Sequence, residues 1–341
     1  MRALQLLDNR SLAIVDLPDP PPPGAGEVQV RIGAVALNHI DVWGWRGMAF
    51  AKRKLPIVVG VEAAGTVAAL GDGVSGLAVG DTVALYGAET CGTCPNCRAG
   101  RDNLCENVRG IRGFHVDGLA REAVNVSARL AIKAPAGVSV VDAACAPVTY
   151  GTPEHMLFDN AKLSEGQTIL IQAGGSGIGT AAIQLAKAVG AIVITTVGSP
   201  DKIEKAKALG ADHVINYREE RFEGVVRKIT QKRGVDVVFE HVGPDTFQQS
   251  MFSLKRGGVL VTCGSTTGVS SEINLFQLYQ QQLRLIGSFG CTIANLRTSL
   301  AKMADGITRP VIDSTVRLED IDSALHRIES RQVFGKFIVT L

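Results

Sequence analysis

TILIQAGGSGIGTAAIQLAKAVG, residues 168–190, reads as strand, tight turn and helix. Ile169, Leu170 and Ile171 make an apolar run of strand length. Gly174, Gly175, Gly177 and Gly179 follow, and then Ile178, Ala181, Ala182, Leu185 and Val189 recur at helical spacing. Glycines at such a turn let the backbone approach a pyrophosphate, whose charge the N–H groups and positive dipole end of the helix neutralise. Gly174, Gly175, Ser176, Gly177 and Ile178 are therefore the candidate cofactor contacts. The competing reading is a tight turn in a nucleotide-free α/β domain. The apolar run Ile192 to Val197 begins right after the helix and completes a βαβ unit, which favours a dinucleotide site.

Outward from this unit the pattern goes on alternating. Asp201 to Leu209, Phe222 to Thr230 and Phe247 to Leu254 read as helices, and Val214 to Asn216, Val235 to Glu240, Val259 to Thr262 and Leu283 to Ser288 as strands. Such alternation predicts a doubly wound parallel sheet. The N-terminal part differs. Ala3 to Leu7 and Leu12 to Asp16 suggest a hairpin, Pro18 to Pro23 an extended linker, and Glu27 to Leu37, Gly65 to Leu70 and Asp81 to Leu85 further strands. This portion is expected to be β-rich. After the sheet, a helix around Leu318 to Glu329 and a strand Phe337 to Leu341 have no further βα partner and are expected to return to the first domain.

With 341 residues, 46% of them hydrophobic, the chain is long enough for two domains with substantial cores. A net charge of +2 gives no broad field for nucleic acid or an anionic membrane. The N-terminal stretch lacks a basic segment followed by a long apolar one, and no uncharged run reaches membrane-spanning length, so a cytoplasmic location is expected.

Four of the seven cysteines are clustered: Cys91, Cys94, Cys97 and, eight positions on, Cys105. Four thiolates at such short separations wrap a tetrahedral ion with no open position, the arrangement of a structural zinc. Disulfides or an Fe–S cluster are the competing readings, and neither suits a loop with nothing redox-like beside it.

GGSGIG in its setting, the later LGADHVINY and VDVVFEHVG, the VGDTV strand and GVEAAGTV together resemble the medium-chain dehydrogenase/reductase superfamily over nearly the whole chain, with the quinone and enoyl reductase branch the nearest in character. The resemblance implies a Rossmann doubly wound domain, at 149–290, and a GroES-like β-rich catalytic domain from both chain ends, at 1–148 and 291–341, with the active site in the cleft between them. It further implies nicotinamide-cofactor contacts at Thr152, His241, Val242, Cys263, Gly264, Ser288, Phe289 and Lys336. A homodimer is expected, paired along the Leu283 to Ser288 edge, or a tetramer of two such dimers.

Departures from the zinc alcohol dehydrogenases of that superfamily carry the functional reading. Their catalytic zinc is held by two cysteines and a histidine, and the matching positions here are Asn38, Val61 and Val148. Valine binds no metal, and the hydroxyl that would relay the alcohol proton falls on Ile40. Glu62 reads as a structural carboxylate and Cys145 as a small buried hydrophobe. A site of this kind can still accept hydride at the β-carbon of an activated alkene, which requires stabilisation of an oxyanion and a proton donor. Asn38 is the candidate hydrogen-bond donor and His39 and Asp41 candidate acids or relays, with Tyr150 or water as further donors. The competing readings give His39 to the cofactor phosphates and Asp41 to its own loop. Trp43, Trp45, Met48 and Phe50 suit a flat, poorly polar substrate or ordinary packing, and Lys52-Arg53-Lys54 suits coenzyme A phosphates or mere solvation.

No acid stands directly after the second strand of the βαβ unit, where NAD-selective sites place one for the ribose hydroxyls. Gly198, Ser199 and Lys202 make a pocket for a 2′-phosphate, and Tyr217 resembles the residue that closes it in related NADPH enzymes; alternatively Ser199 caps a helix starting at Pro200. The expectation is an NADP(H)-dependent reductase of enoyl thioesters, enones or quinones with one structural zinc per subunit. The alternatives are a zinc-type alcohol or aldehyde dehydrogenase, or a cofactor-binding protein with little catalysis.

Overall fold

The computed structural model describes residues 1–47 and 53–341. It divides into two compact units, Met1–Gly151 with Cys291–Leu341, and Thr152–Gly290. Met48, Phe50 and Lys52 lie outside the described residues.

In the second unit six strands lie in the order His213–Asn216, Ile192–Val197, Thr168–Ile171, Val235–Glu240, Leu254–Thr262 and Arg284–Gly287, all parallel. Parallel strands are covered on both faces, so they read as unbroken apolar runs. Ile169, Leu170, Ile171, Ile194, Val238 and Leu260 are all fully buried. This is the doubly wound Rossmann architecture. One helix boundary needs correcting. The helix expected at Phe247 to Leu254 runs from Pro244 to Phe252, with proline in its first turn, and Leu254 opens the next strand.

The first unit is built on β-structure. Its main sheet follows the order Ile312–Arg317, Lys336–Thr340, Glu27–Ala36, Glu62–Leu70, Thr82–Leu85 and Ala131–Lys133, with Ala123–Ser127 also paired to Glu27–Ala36. A smaller sheet joins the Arg2–Asp8 and Ser11–Asp16 hairpin to Ile57–Val58. Because Ile338 pairs with Ala36, both chain ends enter one sheet, as in a GroES-like domain. The C-terminal stretch corrects the expectation that it holds no βα partner: Ile312–Arg317, the helix Ile321–Glu329 and Lys336–Thr340 form a crossover whose strands pair in parallel. The polar sequence IDSTVR hid its first strand.

Candidate active site and metal centre

Cys91 sits in a turn, Cys94 caps the short helix Pro95–Arg98 and Cys105 follows a single 3-10 turn, so the four sulfurs converge within 4.8 Å of one another. Tetrahedral zinc with thiolates at about 2.3 Å wants sulfurs roughly 3.8 Å apart, and Cys91 Sγ and Cys105 Sγ are separated by 3.6 Å. Backbone N–H groups of Thr93 and Cys94 donate to Cys91 Sγ at 3.4 and 3.3 Å. These bonds favour the thiolate and draw Cys91 down to about 5. All four thiols are free of disulfides. The donor set fits zinc and leaves no open position, which is a structural centre. Arg129 ties the lobe down, donating to Asp102 at 2.8 Å and to the Thr90 carbonyl at 2.6 Å.

The three positions that hold catalytic zinc in alcohol dehydrogenases also come together in the first unit, but with different chemistry. A Cβ built on Gly87 would lie 3.4 Å from Val61 Cγ2 and 3.6 Å from Val148 Cγ2, so the two valines face one small space. Beside them Glu62, fully buried, accepts from five donors: the backbone N–H of Val148 and of Thr149 at 2.6 Å each, Thr149 Oγ1 at 2.7 Å, Asn38 Nδ2 at 2.9 Å and Lys336 Nζ at 3.3 Å. The two backbone donors sit in a π-helical turn, Ala146–Tyr150, where the wider winding turns N–H groups away from helical acceptors. A carboxylate so fully satisfied is structural.

Asn38 departs from expectation. Its Nδ2 donates to the Ala36 carbonyl at 3.0 Å as well as to Glu62, and its Oδ1 accepts from Lys336 at 2.8 Å. Both amide hydrogens are committed, so the structure corrects its assignment as a donor to substrate. Lys336, expected on the cofactor, is 3% exposed and spends its hydrogens on Asn38, Glu62 and the Leu37 carbonyl at 2.5 Å. Asp41 accepts from the backbone N–H of Asn38 at 2.8 Å, closing the first turn of the helix His39–Trp45. Burial pushes its carboxyl up to about 6, against the lowering effect of the Asn38 N–H and of Lys336. His39 opens that helix, and its ring meets Trp43 edge-on at 5.7 Å. Tyr150 is removed as a proton donor, because it is fully buried and its hydroxyl donates to the Arg309 carbonyl at 2.7 Å.

The aromatic and basic features nearby divide. Trp45 is core, under the Arg10 guanidinium at 4.3 Å, whereas Trp43 is partly exposed. Arg53 turns inward over Phe114 at 5.3 Å and donates to the Gly44 carbonyl at 2.6 Å, so it serves packing more than a solvent-facing phosphate. Cys145 is fully buried, as a small hydrophobe would be.

In the second unit the glycine turn fits a dinucleotide. Ser176 Oγ accepts from Gly179 N–H at 3.0 Å and caps the helix Gly177–Ala188, whose first N–H groups, at Gly177 and Ile178, have no intrahelical acceptor. At Gly174 a Cβ would collide with Thr195 Oγ1, so only glycine keeps the turn against the sheet. A polar rail lies beneath it: Thr196 Oγ1 donates to Gln172 Oε1 at 2.7 Å, Gln172 Nε2 to Ser250 Oγ at 3.0 Å, and Ser250 Oγ to Glu240 at 2.7 Å. Glu240, which sequence reasoning passed over, is fully buried and accepts from Val242 N–H at 2.7 Å and Gly243 N–H at 3.1 Å, so it shapes the turn carrying His241 and Val242. His241 Nε2 meets the Gln172 carbonyl at 2.9 Å, and burial pushes its pKa down. Gly264 packs on the His241 backbone, Cys263 donates its N–H to the Glu240 carbonyl at 3.3 Å, and Ser288 Oγ accepts from Asn160 at 3.0 Å. Phe289 is exposed and Thr152 buried.

At the second strand end, Tyr217 OH covers Gly198, so close that a Cβ there would displace it. Lys202 stands in the first turn of the helix Asp201–Ala208. Ser199 does not cap that helix: its N-cap is Pro200, without a side-chain bond, and the Ser199 hydroxyl instead bonds the Asp201 carboxylate and holds it below the usual range. An acid beyond the strand end, Asp201, is thus tied to Ser199.

Comparison with known proteins agrees with this architecture. The family description "Alcohol dehydrogenase GroES-like domain" matches residues 24–136 and "Zinc-binding dehydrogenase" residues 177–305. An acryloyl-coenzyme A reductase of Metallosphaera sedula is 32% identical over 328 residues, 94% of each chain. An NAD-dependent alcohol dehydrogenase of Sulfurisphaera tokodaii is 30% identical over 99% of each. A crystal structure described as an NAD-dependent alcohol dehydrogenase superposes with a TM-score of 0.94 at 36% identity, covering all of both chains.

Proposed function

Since the chain belongs to the medium-chain dehydrogenase/reductase superfamily of the zinc-alcohol-dehydrogenase type, we propose that it is an NADPH-dependent reductase of activated carbon–carbon double bonds, enoyl thioesters foremost. The observation that carries this reading is the replacement of all three catalytic ligand positions by Asn38, Val61 and Val148, with the two valines packed against one space. Reduction of an enoyl thioester needs no Lewis acid on an alkoxide, and a relative at 32% identity is described as an acryloyl-coenzyme A reductase.

A reduced nicotinamide, when bound, supplies the hydride. The chain's part is to hold the cofactor by the N–H groups at Gly177 and Ile178, and its 2′-phosphate by Lys202, with Tyr217 closing the subsite. Proton delivery falls to the turn that carries His39 and Asp41; a carboxyl near 6 passes a proton readily around neutrality. The substrate is a small molecule. The assembly we propose is a homodimer or a pair of dimers, supported by the edge strand Arg284–Gly287 and the exposed Leu275, Phe276 and Tyr279 beside it.

An NADPH oxidation screen over acryloyl- and crotonyl-coenzyme A, enones and quinones, with alcohol oxidation run alongside, tests the function. Turnover with an enoyl substrate is expected. Robust alcohol oxidation without alkene reduction would replace this reading with that of the alcohol dehydrogenase relatives.

A further inference from the structure

A buried ammonium is an unusual object, and this one is held by three bonds to the segment that precedes the His39–Trp45 helix and to Glu62. Lys336 begins the C-terminal strand, which lies beside residues 36–38: Ile338 pairs with Ala36, and Leu37 N–H donates to the Phe337 carbonyl at 3.0 Å. The sheet therefore brings the C-terminal strand to the point where the Glu27–Ala36 strand ends and the helix starts. There Lys336 Nζ reaches the Leu37 carbonyl, Asn38 Oδ1 and Glu62 Oε2. Asn38 in turn donates its backbone N–H to Asp41. His39 and Asp41 are thus placed through residues whose polar groups are already fixed from the other end of the chain.

We infer that Lys336 is a positioning residue for the proton-delivering turn: it locks Leu37 and Asn38 from the C-terminal strand and so sets where His39 and Asp41 stand. The inference rests on the metal-free reading of the site given above, and it deepens it. Where zinc-dependent relatives fix this segment by ligating a metal, the chain fixes it by an ammonium with every hydrogen engaged. It differs from the expectation that Lys336 binds cofactor, since its hydrogens face Asn38, Glu62 and Leu37. Charge acts in the same direction as geometry. Asp41 is faced by Lys336 from the C-terminal strand and by Glu62 from the neighbouring strand; Lys336 favours its ionised form and Glu62 opposes it. Loss of the ammonium leaves Glu62 as the remaining buried charge beside it.

The test compares Lys336→Met and Lys336→Arg, each alone and with Asn38→Leu, in the full-length protein. NADPH dissociation is measured by fluorescence titration and kcat, KM and the pH profile with the best alkene from the screen. Lys336→Met is expected to lower kcat at least tenfold, to leave the NADPH dissociation constant within twofold, and to move the alkaline limb of the profile, where the proton donor is lost, to higher pH. Lys336→Arg should recover part of kcat, and in the Asn38→Leu background Lys336→Met should add little. A tenfold weaker NADPH affinity with kcat unchanged would overturn the inference and return Lys336 to the cofactor. Should Lys336→Met fail to fold, Lys336→Gln and Lys336→Arg carry the same comparison. If no alkene turns over, the functional reading fails by itself, and the Asn38 side-chain amide protons decide this one. Slow exchange in the wild type and fast exchange in the Lys336 variant supports the inference, and equal exchange overturns it.

Discussion

Two polar clusters in the first unit solve the same problem by opposite means. The zinc lobe gathers four identical ligands from fifteen consecutive residues, 91–105, around a charge that arrives from solution. The Asn38–Glu62–Lys336 cluster gathers unlike groups from both chain ends and carries its own cation. Each cluster is closed: in one every sulfur points at a common centre, in the other every donor of Lys336 and Asn38 is spent. The first can be emptied by a chelator. The second can be opened only by changing a residue, and opening it exposes an unpaired charge to a low-dielectric interior. Neither offers a bare Lewis acid, and the proposed function rests on that difference.

Breaking the lobe should have the largest effect. Cys97→Ser removes a thiolate from a metal-linked fold, and structural zinc contributes on the order of 10 kcal/mol to small zinc domains. Scanning calorimetry should show a lower-melting protein, with NADPH affinity retained in what stays folded because the cofactor turn belongs to the other unit.

Opening the second cluster comes next. Glu62→Gln strands Lys336 in the interior, and loss of one partner of a buried pair costs about 3 kcal/mol or more. Urea denaturation monitored by fluorescence should find that loss with zinc content unchanged. Equal stability would mean that the two clusters are not comparable structural centres.

Outside both clusters, Lys202→Ala should weaken NADPH by about 1.5–3 kcal/mol through a lost charge-assisted contact, roughly tenfold to a hundredfold, while NADH is unaffected. Isothermal titration with the two cofactors measures it. Equal loss for both would reduce Lys202 to a helix residue. Gly198 is not a clean probe of the same pocket, because any side chain there must first move Tyr217.

The smallest effect is pH-dependent. Asp41 has a folded pKa raised to about 6 from an ordinary 3.8, so the native state binds the proton more tightly than the unfolded chain. Its contribution is therefore destabilising above the folded value, and stability should rise as pH falls from about 6 to 4. With partial exposure allowed for, this amounts to about 1–2 kcal/mol. The difference between wild type and Asp41→Asn, measured by denaturation from pH 4 to 8, isolates it. A difference that does not change with pH would place the Asp41 titration elsewhere.

The same contrast explains what could be read from the chain. The zinc lobe and the glycine turn are local: ligands within one loop, and a strand, turn and helix in one run, so their residue types and spacing were enough. Asn38, Val61 and Val148 were legible as absences of ligands. The bonds of Lys336 were not, because nothing in FGKFIV marks a lysine that will meet Asn38 nearly three hundred residues away. Glu240 was hidden for a related reason, since its partners Val242, Gly243 and Ser250 acquire meaning only when the turn folds. No acid stands directly after the second strand, yet the turn brings the Asp201 carboxylate to Ser199, a contact that spacing alone does not show. The final crossover was missed because an alternating, charged strand at a sheet edge carries little apolar signal.

The account stands on one cluster holding a metal and the other doing without. Zinc per subunit, measured by inductively coupled plasma mass spectrometry on protein found active in the alkene screen, tests this most directly. The prediction is one zinc per chain, lost in Cys97→Ser. Two tightly held zinc ions per chain would contradict it.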